Sequence, residues 1–152
     1  MGDASPPFAL PDGRHFKVSD AACHDGTPFP VDWTEQWALS CGLADDCRDE
    51  YSDALIAVSW YRTEAHNLAL ISLDDAAGTH QVASGSKHVK GLAIDLRPVR
   101  GDAAGLYRIL MAAHDAGRLK SLGGIGLYPK SNWVHVDAFK ADDGHLRKWI
   151  GV

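Results

Sequence analysis

The sequence has no apolar run near the roughly 20 residues that cross a bilayer, and its start, MGDASPPFALPDG, lacks a basic segment leading into an apolar one. Neither a transmembrane span nor an export signal is expected. Blocks of like charge are missing too: a formal net charge of −5 is spread over 152 residues, which leaves nucleic acid and anionic membrane surfaces without an electrostatic footing. Cysteine is scarce. Cys23, Cys41 and Cys47 form no C-x-x-C pair, so zinc held by thiolates is not expected. Three reduced thiols are expected, with Cys41 and Cys47 the pair that an oxidising compartment would join. There is no internal repeat.

What is present suits one globular domain, with 45% hydrophobic and 23% charged residues. A chain of this length buries about 70% of its unfolded surface, so it needs no metal merely to own a core. Any metal is expected to be functional. Residues 1–15, rich in Pro, Gly and Ala, read as an arm, and residues 16–152 as the domain.

Trp33, Trp37 and Leu39 among polar positions suggest a helix from about Asp32 to Leu43. The apolar run ALIAVSWY, Ala54 to Tyr61, reads as a buried strand, after which Thr63 caps a helix from Glu64 to about Ile71. Asp74 to Gly85 reads as a loop. In the next strand, Leu92, Ile94 and Leu96 alternate with Gly91, Ala93 and Asp95. Asp102 caps a helix carrying Leu106, Ile109, Leu110 and Ala113 at helical spacing, which Gly117 stops. GGIGLY and WVHVDAF, joined by Pro129-Lys130-Ser131-Asn132, predict an antiparallel hairpin. Its second strand turns Val134, Val136 and Ala138 one way and Trp133, His135 and Asp137 the other. Leu146, Trp149 and Ile150 mark a terminal segment that packs back on the domain.

Two strands thus each carry a polar, metal-competent face and an apolar back. His88 precedes the first, and Gly91 lets the chain turn tightly enough for His88 and Asp95 to converge. With His135 they make two imidazoles and a carboxylate, a common catalytic zinc set that leaves a fourth tetrahedral position open. The string Ser86-Lys87-His88-Val89-Lys90-Gly91-Leu92-Ala93-Ile94-Asp95 supplies ligands together with the small residues needed around them.

That string, with SWYRTEAHN upstream and GGIGLYPKSNWVHVDAF downstream, resembles the zinc D-Ala-D-Ala carboxypeptidases and peptidoglycan endopeptidases. These belong to the LAS group, which also holds the lysostaphin-type enzymes and the hedgehog signalling domain. The resemblance runs from about Phe16 to Trp149. It implies an α+β fold, a small antiparallel sheet with flanking helices. It also implies Zn2+ held by His88, Asp95 and His135, and Arg62 beside the site to hold a substrate carbonyl or carboxylate. The implied activity is metal-assisted hydrolysis of peptide bonds in peptidoglycan stem peptides, by a carboxypeptidase or an endopeptidase.

Ser86 is a candidate for steadying the loop or the Asp95 ligand, and Tyr128 for lining the substrate cleft. His66 reads as structural rather than catalytic. Several branches of the group place an acid three residues before the last zinc-binding His, and here that position is Asn132, whose amide cannot take a proton. Asp137 then stands as general base or as the group that orients a ligand imidazole. Asn132 also leaves open a catalytically inactive, zinc-stabilised wall-binding or virion module. The expected setting is a phage endolysin or virion-associated protein, made in the cytoplasm and acting on the wall after lysis or within a particle beside other virion proteins. A bacterial enzyme trimmed of its export segment fits the same sequence.

Overall fold

Strand alternation and two side-chain caps set the frame. The computed structural model describes residues 9–78, 82, 83 and 85–151. A helical turn, Val18–Ala21, precedes α1 (Thr34–Tyr51), β1 (Leu55–Ser59), α2 (Glu64–Ala77), β2 (Ala93–Pro98), α3 (Ala103–Asp115), β3 (Gly124–Tyr128), β4 (Trp133–Asp137) and β5 (Arg147–Ile150). The strands form one sheet in the order β1-β2-β4-β3-β5. The α+β class is as expected. All neighbours are antiparallel except β3 and β5, so the terminal segment packs back as a parallel edge strand and makes the sheet mixed.

The caps act as their chemistry dictates. Thr63 Oγ1 accepts the His66 N–H at 3.1 Å to start α2, and Asp102 Oδ1 accepts the Gly105 N–H at 2.8 Å to start α3. α2 runs beyond Ile71 to Ala77, through Asp74 and Asp75, which had the look of a turn; Gly78, left-handed at φ 75°, ends it. Of the expected loop after it, residues 79–81 and 84 lie outside the described residues. α1 likewise continues past Leu43 to Tyr51.

α1 and α3 cover one face of the sheet. Trp37, Leu43, Ala44 and Cys47 of α1 and Leu106, Leu110 and Ala113 of α3 meet Ile94, Leu96, Ile125, Val134 and Val136 in a single core. Leu39 and Ile109, apolar though they are, face outward. All three cysteines are free and buried. Residues 1–8 of the expected arm lie outside the described residues, but its later part, from Pro11 to His15, is docked on α1. The Asp45 carboxylate accepts the backbone N–H groups of Arg14 and His15 at 3.0 and 2.9 Å, and Trp37 Nε1 donates to the Pro11 carbonyl at 2.8 Å.

β3 is nearly bare. A Cβ on Gly123 would run into the carbonyl of Phe139, backbone against backbone, where no rotamer change gives relief. Gly123→Ala is therefore expected to destabilise the fold by at least the ~1–3 kcal/mol usual for overpacking. A melting temperature equal to that of the parent would contradict this packing.

Candidate metal centre and cleft

The opposite face of the sheet carries the polar residues. Asp95 on β2 lies directly across from His135 on β4, and Ala93 across from Asp137. The same pairing continues into β3, where Gly126 faces His135 and Gly124 faces Asp137. Period-two alternation thus puts Asp95, His135 and Asp137 on one face, surrounded by residues with little or no side chain. His88 comes from the turn before β2. Gly91, at φ 71°, donates its N–H to the His88 carbonyl at 3.1 Å, a backbone shape that favours glycine.

Ligand atoms of His88, Asp95 and His135 all lie within 4.8 Å of one another, and the three side chains are nearly or wholly out of solvent. The ring partners fix which nitrogens face the centre. His88 Nδ1 lies 2.7 Å from the Trp60 carbonyl, which only accepts, so Nδ1 carries a proton and Nε2 is the nitrogen turned to the centre. It sits 3.3 Å from Asp95 Oδ2. A cation between these atoms would take an imidazole nitrogen and a carboxylate oxygen as ligands, and the donor set suits zinc. His135 turns Nε2 to Asp137 Oδ2 at 2.8 Å and Nδ1 to Asp95 Oδ1 at 3.2 Å. Each imidazole is therefore gripped from behind and turns its other nitrogen to Asp95 at the centre, the arrangement that orients ligands around a bound metal.

Electrostatics reflect this crowding. Burial pulls the His135 imidazolium down, but hydrogen bonds to Asp137 and Asp95 outweigh it and push the group up to about 9. Burial pushes Asp95 up, yet attraction to His88 and hydrogen bonds from both histidines hold it well below the usual carboxylate range. Asp137 is also held low against its burial, by His135, Arg147 and the Phe139 N–H.

Asp137 is fully buried. Its Oδ2 is taken by His135, and its Oδ1 by the Arg147 guanidinium and the Phe139 N–H. Both oxygens thus lie behind the His135 ring, on the side away from Asp95. Asn132 is placed by the backbone: it adopts φ 60° in the hairpin turn, and its Oδ1 accepts the Ala103 N–H at 2.8 Å at the start of α3.

A cleft of about 440 Å3 opens over the three converging residues. Arg62, Ser86 and Tyr128 all line it, beside Lys87, Trp133 and Trp149. Arg62 is anchored by Nη1 to Asn67 Oδ1 at 3.0 Å and by Nη2 to Ser59 Oγ at 3.3 Å, which leaves part of its five-donor fork for a ligand. Burial lowers its pKa, against the pull of Asp95. Ser86 Oγ accepts the His88 N–H at 3.2 Å, so it steadies the loop. Tyr128 OH accepts from Trp149 Nε1 at 2.9 Å, fixing the indole in the wall of the cleft.

Several contributors carried no signal that strand or helix periodicity detects. Trp60 acts through its backbone carbonyl, and Arg147 belongs to a strand of four residues. Asp74, expected in a loop, sits on α2 and lines the cleft. Asn67 had a usable signal: a helix interior disfavours asparagine, and a buried one there has a hydrogen-bonding task. It holds Arg62 on one side and, through Nδ2, the Ala83 carbonyl at 3.0 Å on the other.

Comparison with known proteins bears on this geometry. Residues 45–149 match the family described as peptidoglycan L,D-endopeptidase MepK. The probable peptidoglycan L,D-endopeptidase MepK of Haemophilus influenzae is 42% identical over 71 residues, 47% of this chain and 32% of that protein. The match thus spans about a third of the curated relative's length. No solved structure matches the chain.

Proposed function

Since the chain belongs to the family of the peptidoglycan L,D-endopeptidase MepK, we propose that it hydrolyses an L,D-peptide bond between peptidoglycan stem peptides as a zinc-dependent endopeptidase. The observation that carries this reading is the convergence of His88 Nε2, Asp95 and His135 Nδ1 under an open cleft, each imidazole held from behind. Zinc, when bound there, supplies the Lewis acidity that activates water and polarises the scissile carbonyl. The family favours an endopeptidase over the carboxypeptidase also expected from the sequence. The relative is a bacterial protein, so the setting with support is the wall of a bacterial cell rather than a phage particle.

The chain's own residues divide the remaining work. Arg62, prepositioned by Asn67 and Ser59, directs its spare N–H groups toward the substrate carbonyl and the charge that develops on it. Tyr128 and Trp149 hold the stem peptide against the cleft wall. Ser86 fixes the His88 loop from the cleft side. Asp137 orients His135, because both its oxygens are engaged away from the centre and neither faces an attacking water. Asn132, the support for an inactive module, is accounted for by its bond to α3.

Digestion of purified peptidoglycan with and without chelator, followed by mass analysis of the muropeptides, tests the reading. Chelator-sensitive loss of L,D-cross-linked dimers is expected. An unchanged muropeptide profile at full zinc loading would sink it. Arg62→Ala should lower turnover by about 10²–10³-fold, the usual effect of removing one oxyanion donor. Its stability should fall by only about 1 kcal/mol, for the lost bonds to Asn67 and Ser59. Full turnover in that variant would remove Arg62 from the site.

A further inference from the structure

A second group of metal-competent side chains lies outside the cleft, where the turn after the first helical segment meets the start of α2. The Cys23 N–H donates to the Thr27 carbonyl at 2.8 Å, and the Gly26 N–H to the Cys23 carbonyl at 2.9 Å. This tight turn, with Gly26 at φ 94°, brings Cys23 and Asp25 to the same place as His66. Ligand atoms of the three lie within 4.8 Å of one another, the closeness found for His88, Asp95 and His135. One hydroxyl holds the arrangement together: Thr63 Oγ1 donates to Asp25 Oδ2 at 2.9 Å and accepts the His66 N–H at 3.1 Å.

We propose that Cys23, Asp25 and His66 form a second metal site, taking a thiophilic divalent cation such as Zn2+. Thiolate, imidazole and carboxylate together are zinc's donor types, and three of them leave a fourth position for water. The Cys23 thiol is free and only 3% exposed, although its sulfur faces the other two donors. The His66 ring has no hydrogen-bond partner among the described residues; its neighbour is the His24 ring, 6.2 Å away edge-on. The Asp25 carboxylate is fixed in place, Oδ1 accepting the Thr27 N–H at 2.9 Å and Oδ2 the Thr63 hydroxyl. Cys41 and Cys47 have no such company; burial pushes the Cys41 thiol up to about 12 and raises Cys47 as well.

None of the three residues lines the cleft. Arg62 links the two places, since its charge is within electrostatic reach of both Asp95 and Cys23. A metal here would clamp the 23–27 turn to the first turn of α2, and with it the Arg62 and Asn67 pair.

Cobalt distinguishes the two centres, because only this one contains sulfur. The whole chain, stripped with chelator and titrated with Co2+, is expected to bind two equivalents and to show thiolate-to-cobalt charge-transfer absorption in the near ultraviolet. Cys23→Ser and His66→Ala should each bind one equivalent and lose that absorption, while His88→Ala should lose the other equivalent and keep it. Absence of the absorption in the parent, or its survival in Cys23→Ser, would overturn the proposal. Failure of the cleft centre reads differently: one equivalent in the parent with the absorption intact.

Discussion

Replacing Asp137 by alanine is expected to cost the metal-free protein about 3–5 kcal/mol, the usual loss when one partner of a buried ion pair is removed. The value should fall toward the lower end, since the Arg147 side chain keeps 32% of its exposure. Two cations lose their counter-charge at once: Arg147, whose Nε is already buried without a partner, and His135. Asp137→Asn is the more informative variant. It keeps the volume and an acceptor for His135 Nε2 but removes the charge. If Asp137 orients His135, zinc affinity should fall about 10–100-fold, with turnover recovering as zinc is added. A variant that binds zinc like its parent yet loses about 10²–10⁴-fold in turnover would make Asp137 the base. Urea unfolding and zinc competition titrations supply both readouts.

The second large effect is on pH. His135 in the metal-free protein titrates near 9, against an ordinary value of 6.5. A raised histidine pKa stabilises the fold below the unfolded value and loses that contribution as pH climbs through the folded one. Metal-free protein should therefore lose roughly 3 kcal/mol between about pH 6.5 and 9. Metal binding runs the other way. The ligand must shed its Nδ1 proton while Nε2 keeps its bond to Asp137, so apparent zinc affinity should rise about tenfold per pH unit up to about 9. Calorimetry in buffers of different ionisation enthalpy should show one proton released from His135 per zinc bound in the cleft. Affinity that stays flat from pH 6 to 8 would mean that His135 is neutral before the metal arrives.

The shared face of Asp95, His135 and Asp137 was legible because strand alternation is a strict rule. Once β2 and β4 were recognised, Asp95, His135 and Asp137 had to share a face, and Ile94, Leu96, Val134 and Val136 had to share its reverse. Thr63 and Asp102 were legible because a cap is a local hydrogen bond between residues three apart in the chain. What escaped depends on distant partners. β5 has four residues, two of them charged, and is a strand only because β3 pairs with it in parallel. The grip on His88 comes from a backbone carbonyl, which any residue at position 60 would offer. α2 outran its expected end because Asp74 and Asp75 resemble a turn, while the helix continues until Gly78 gives it a left-handed exit.

The two glycines of β3, Gly124 and Gly126, constrain how this chain can drift. A side chain at Gly126 would occupy the space of the Trp149 indole, and one at Gly124 would come within 2.6 Å of an Asp137 oxygen and press on Arg147. The two strands therefore vary only in step. A lineage that enlarges position 126 must first shrink position 149, and one that fills position 124 must give up the Arg147 and Asp137 pair. Homologues are expected to show paired exchanges at 126 and 149, never a bulky residue at both.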